Sequence, residues 1–181
     1  MVNAVSMRRL RPPRLRGFTV IELMLVLVIL GVFLSLAAPS MRDMVITSQV
    51  RSSASDLYES VILARSEAIK RAANVDLIPV SGSWQNGWTV QIGATVLQSR
   101  DATTNVTATP KKSNQPSNLG TPLSTNITFR MDGRQSTDIN NVIFTAAQSA
   151  HPIAARCVLV TSSGRPSIKT DTDNDPSNGC N

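Results

Sequence analysis

An acid inside an apolar run is the first feature of this chain that calls for chemistry. Glu22 is the only charge in the segment from Phe18 to Ala38, FTVIELMLVLVILGVFLSLAA. A carboxylate deep in hydrocarbon costs about 2.5–3.5 kcal/mol on insertion scales, so it needs a cationic partner or a route to the interface. Glu22 therefore has two readings: it pairs with a positive group, or it snorkels to the interface close beyond Gly17. Cys157 and Cys180 are the only cysteines and allow at most one internal disulfide. In an oxidising compartment such a bond would tether the end of the chain, and two inert free thiols are the alternative. Arg165 and Lys169 fall in Gly164-Arg165-Pro166-Ser167-Ile168-Lys169, where strand alternation sets Ser167 and Lys169 on one face, available to a phosphate. The stretch Asp171-Thr172-Asp173-Asn174-Asp175 copies the opening of a calcium loop. Pro176 then replaces the required glycine and no glutamate closes the loop, so a solvated acidic tail is expected and no metal.

Catalysis has little support. His151 is the single histidine, which removes most histidine-based metal and triad chemistry. No Gly-rich phosphate loop leads into a lysine, and Glu59 and Glu67 fit the polar face of a helix. No enzyme activity and no cofactor are expected.

The elements that must position these residues are set by patterning. Of 181 residues, 18 are basic and 12 acidic, a formal net charge of +6. Arg8, Arg9, Arg11, Arg14 and Arg16 put five of those positive charges, and no acid, into residues 1–17. The rest of the chain is close to neutral, and with 4% aromatic residues it offers few base-stacking platforms. The apolar segment 18–38 is long enough to cross the ~30 Å hydrocarbon core as a helix. All the leader's charge lies before it, so the positive-inside bias keeps residues 1–17 in the cytoplasm and exports the remainder of the chain. A cleaved secretory signal fits less well: its apolar run is usually about 7–15 residues, and Pro39 follows Leu36-Ala37-Ala38 where the cut would fall.

Residues 39–74 continue as an amphipathic helix. Val50, Ala54, Leu57, Val61, Ala64 and Ala68 recur at intervals of three and four and mark one buried stripe. Residues 75–181 form a β-rich extracytoplasmic head. Candidate strands are Val75–Val80, Gly87–Ile92, Thr95–Ser99, Asn105–Thr109, Ile127–Met131, Asn141–Thr145, Ala155–Thr161 and Pro166–Thr170. The Pro-, Ser- and Asn-rich stretch 110–126 reads as a mobile loop, and the helix stripe is expected to cover one sheet face. Trp84 and Trp88 read as two large side chains closing a hairpin against the helix. The fold class is α+β.

Arg14-Leu15-Arg16-Gly17-Phe18-Thr19-Val20-Ile21-Glu22-Leu23 resembles the leader of type IV pilins and type II secretion pseudopilins. Leu63 to Arg71, Trp84-Gln85-Asn86-Gly87-Trp88 and Arg156-Cys157-Val158 through Gly164-Arg165 resemble the GspH/FimT branch of minor pilins and pseudopilins. The resemblance implies a long N-terminal helix packed on antiparallel sheets, in the type IV pilin-like fold. It implies cleavage after Gly17 by a prepilin peptidase, N-methylation of Phe18, and pairing of Glu22 with the N-terminal amine of a neighbouring subunit. The implied place is the bacterial inner membrane, with a cytoplasmic N-terminus, a periplasmic head and incorporation into a pilus or pseudopilus. The implied partners are other pilins through the N-terminal helix, the peptidase, the inner-membrane assembly platform and lipid. DNA is the alternative partner, because branch members linked to DNA uptake carry a Gly-Arg-x-Arg turn. Here Arg165 is present, Ser167 replaces the second arginine, and Lys169 lies two residues further on. N-terminal sequencing of the membrane-derived protein is expected to begin at Phe18; a start at or beyond Pro39 would make it a secreted protein instead.

Overall fold

The computed structural model describes residues 17–111, 126–137, 141–148, 152–172 and 180, without the side chains of residues 36–40. The chain divides into two compact units, Met1–Ala38 and Pro39–Asn181. One helix, α1 (Val20–Arg71), supplies residues to both.

In the first unit every large apolar side chain from Phe18 to Leu34 is exposed, on all faces of the helix. A helix apolar all round is stable only when something other than water surrounds it. Among the described residues no helix is long and apolar enough to cross a membrane. The span expected over residues 18–38 has described side chains only as far as Ser35.

In the second unit the stripe of α1 is fully used: Val50, Ala54, Leu57, Val61, Ala64 and Ala68 are each no more than 1% exposed. Eight strands follow: β1 (Val75–Pro79), β2 (Gly87–Ile92), β3 (Thr95–Asp101), β4 (Val106–Lys111), β5 (Ile127–Phe129), β6 (Asn141–Ala146), β7 (Arg156–Val160) and β8 (Pro166–Thr170). They form two antiparallel four-stranded sheets, β3-β2-β1-β5 and β4-β6-β7-β8. The stripe therefore serves two sheets, where one face was expected. Leu77, Val90, Ile127 and Phe129 from the first sheet and Val142, Phe144, Val158 and Val160 from the second join it in one cluster. Eight strands abreast would be about 34 Å wide at ~4.8 Å spacing. A single helix is about 10–12 Å across and cannot cover that width, whereas two sheets can share it.

Six of the eight strands differ by one or two residues at an end from the sequence reading, and two of these shifts have a local reason. Pro110 and Lys111, expected in a loop, extend β4 and pair with Val142 and Asn141. β4 is an edge strand, where a proline costs no ladder hydrogen bond; residues 112–125 of the expected loop lie outside the described residues. β5 ends at Phe129 because the next residues close a turn, with Arg130 N donating to Arg134 O at 2.9 Å and Gly133 N to Arg130 O at 2.8 Å.

The tryptophans join the sheets to the helix. Trp84 lies in a short 3-10 turn, Trp84–Asn86, and Trp88 in β2, with ring centroids 6.1 Å apart and both rings buried. Trp88 Nε1 donates to the buried Ser60 Oγ of α1 at 2.9 Å, and its ring lies 6.4 Å from that of Phe144 in the other sheet. Gly87 between them tolerates no side chain, since a Cβ would overlap the Arg100 carbonyl oxygen of β3.

Near the C-terminal end of α1 the two sheets meet at paired turns. Gln135 N donates to Ser162 O at 3.2 Å, and Arg65 Nε donates to Gly133 O at 3.2 Å. Gly164, at φ +77°, abuts this carbonyl so closely that a Cβ would overlap the Gly133 oxygen. On the outer face of the second sheet Ile143, Ala155, Cys157 and Cys180 form a smaller cluster, with Leu159 against it. Cys157 and Cys180 are joined there by a disulfide, their Cα atoms 6.0 Å apart. The bond fixes Cys180 over that face.

Gly164→Ala adds left-handed strain of about 1–2 kcal/mol to a steric overlap, and is expected to destabilise the head by about 3 kcal/mol. Gly82→Ala, at φ +73° in open space, is expected to cost only about 1 kcal/mol. Urea unfolding of the detergent-solubilised chain, followed by tryptophan fluorescence, distinguishes them. Cys157→Ser is expected to lower stability by about 3 kcal/mol on the chain-entropy model for a loop of this size, read from melts with and without reductant.

Candidate functional site

The N-terminal candidates sit at the start of α1. Gly17, Phe18 and Thr19 lie outside the helix and are exposed, as is Glu22 in the first turn. Glu22 N donates to Thr19 Oγ1 at 3.2 Å, and Leu23 N donates to Thr19 O at 3.2 Å. Thr19 is thus the N-cap: its side chain satisfies one of the amides that a helix start leaves unpaired. Thr19 and Glu22 have the spacing of a capping box, and a carboxylate in the first turn complements the positive end of the helix dipole. Sequence reasoning passed over Thr19, although the Thr-x-x-Glu spacing ahead of an apolar run was its signal. The arginines of residues 1–16 lie outside the described residues.

The second candidate is the β7–β8 hairpin. Thr161 N donates to Arg165 O at 3.1 Å, Gly164 N to Thr161 O at 2.7 Å and Arg165 N to Thr161 Oγ1 at 3.2 Å, which fixes the turn. Arg165, Ser167 and Lys169 are all exposed. Lys169 stands opposite Cys157 and Ser167 opposite Leu159, so this side of β8 is the outer face that carries the disulfide.

Folding adds cations to this hairpin from distant parts of the chain. Gly164 touches the turn Arg130–Arg134, and Arg65 lies against both. Arg130, Arg134 and Arg165 are exposed, and none of them has an ion-pair partner among the described residues. The one acid on these turns, Asp132, uses Oδ1 to accept from Arg134 N at 3.0 Å. Further along α1, Glu67 pairs with Arg71 and Lys70. The Arg71 hydrogen bond, helped by the charge of Lys70, holds the Glu67 carboxyl below its ordinary range, and its single negative charge offsets one of these two cations. The structure therefore sets the turn that carries Arg130 and Arg134, together with Arg65, against Gly164, the residue before Arg165, from 31 to 100 positions away in sequence. Lys169 lies further along β8, on the outer face of the second sheet opposite Cys157.

Asp171 N donates to Ala155 O at 3.0 Å, and its side chain is buried. Asp173 to Asp175, the rest of the calcium-like stretch, lie outside the described residues, as does His151. Among the described residues no group of three or more His, Cys, Asp or Glu side chains is placed to hold a metal.

Comparisons with known proteins match this arrangement at both ends. The family described as type II transport protein GspH matches residues 53–164, which include the buried stripe from Ala54 onward, the tryptophan turn and the β7–β8 turn as far as Gly164. The prokaryotic N-terminal methylation motif matches residues 13–38. No curated protein matches the chain. Among solved structures, the type IV minor pilin FimU of Pseudomonas aeruginosa (space group P21) is similar in fold, with a TM-score of 0.50 and 19% identity over 71% of this chain and 92% of that one. A second crystal form of FimU (P65) gives 0.48 and 20% over 69% and 94%. With more than half its length matched by one family and its N-terminus by the methylation motif, the chain belongs to the GspH family, and it is a minor pilin or pseudopilin of the type IV pilin fold.

Proposed function

We propose that this subunit is made as a precursor, cut after Gly17, methylated on Phe18 and built through its N-terminal helix into a type IV pilus or a type II secretion pseudopilus, in the priming or tip complex. The observation that carries this reading is the junction of the methylation motif with a helix start that presents Glu22 beside an apolar surface exposed on every side. Before assembly that surface is covered by the inner membrane, and in the filament by neighbouring helices. Cleavage leaves a cationic amine at Phe18, one turn from Glu22, and a stacked subunit supplies the amine that neutralises the acid. The head faces the periplasm, where the Cys157–Cys180 bond persists. The work of the molecule is packing and charge pairing, without turnover of a substrate.

Glu22→Ala is expected to leave membrane insertion intact and to remove the subunit from sheared filaments; equal incorporation of the variant sinks the assembly role.

A second reading, contact with DNA, is favoured by one observation: the turn bearing the exposed Arg130 and Arg134 touches the hairpin turn that carries the exposed Arg165. Sequence-independent DNA binding draws its strength from several cations releasing counterions. A salt-dependent shift of duplex DNA by the purified protein should weaken in Arg165→Ala, with the salt slope reduced by about 1. Absence of any shift at low salt removes this reading.

A further inference from the structure

We infer that Thr19 is a positioning residue for processing: its cap holds the Gly17–Phe18 peptide bond outside the helix so that a peptidase can reach it. This rests on the proposed cut after Gly17. Cleavage of that amide takes up one water: the C–N bond breaks, hydroxide adds to the Gly17 carbonyl carbon and the amine of Phe18 leaves with a proton. The carbonyl of Gly17 must therefore be accessible. In a helix a carbonyl accepts the amide four residues on and is wrapped by the next turn.

The observed hydrogen bonds place the helix boundary two residues beyond the scissile bond. Thr19 O is the first carbonyl bonded in helical register, to Leu23 N at 3.2 Å, and Thr19 Oγ1 takes Glu22 N at 3.2 Å. Gly17 and Phe18 precede this boundary and are exposed. Without the hydroxyl the boundary has a ready alternative, because glycine is itself a favourable N-cap and alanine the best helix former. A cap moved to Gly17 would commit the Gly17 carbonyl to Ile21 N, removing the reacting carbon from attack.

Full-length Thr19→Ala in membranes containing the prepilin peptidase is expected to be processed about five-fold more slowly than the native chain, following the usual preference for a threonine cap over alanine. Thr19→Ser keeps the hydroxyl and should be processed at the native rate. In micelles, the Cα chemical shifts of Phe18 and of the substituted residue in Thr19→Ala should turn helical, which mere recognition of the threonine side chain by the peptidase would not cause. Equal rates for the Thr19→Ala and Thr19→Ser variants overturn the inference, as does slow processing without the helical shift. If the native chain itself is not cut after Gly17, the underlying reading fails, and the inference with it.

Discussion

Burial of a single stripe of α1 is the constraint on which the head depends. Val50, Ala54, Leu57, Val61, Ala64 and Ala68 face two sheets at once, and neither sheet has another helix to cover its inner side among the described elements. The stripe suits this because half of it is alanine, and the neighbouring buried positions Ser53 and Ser60 are also small. Small side chains bring the backbone close, and the space beside them is filled by Trp84, Trp88, Phe129 and Phe144 from the strands and the tryptophan turn. Ser60 also receives the indole N–H of Trp88, which supplies the partner that a buried tryptophan needs.

The same helix carries a different surface before Pro39. There the apolar side chains have no strand to meet and stay exposed through Leu34. The change along this one element tracks composition: apolar on every face apart from Glu22 and Ser35 in the first unit, one apolar stripe with charged flanks in the second. The core of the head is complete without any of the exposed apolar side chains of the first unit. In the proposed filament Glu22, at the start of the apolar part, is the charge that would set the register between neighbouring helices.

Much of the fold was legible in the sequence because it rests on local period. The stripe at intervals of three and four and the eight strands were visible. The strand ends were less so. Pro110 argues for a loop until β4 is known to be an edge strand, and Met131 looks like strand until the turn closed by Arg130 and Arg134 is seen. Of the candidate site, Glu22 announced itself by being an acid among apolar residues. Thr19 was equally readable but unremarked, since its hydroxyl is ordinary until a helix starts at the next residue. Arg130 and Arg134 gave no signal as companions of Arg165, because nothing along the chain says that the two turns touch.

The sequence by itself determined the long helix, its buried stripe and the family. The uncharged span after Glu22 and the stripe beyond it act through side-chain type and spacing over a few turns, and such terms do not need the rest of the chain. Only the tertiary structure decided how the strands divide into two sheets, which face the disulfide covers and which cations stand beside Arg165. Those depend on which distant segments share space: Gly164 can abut the Gly133 carbonyl only because it has no side chain, and Arg65 bonds that carbonyl only after α1 has packed. Excluded volume and long-range hydrogen bonding fix that arrangement, and neither is written in local spacing.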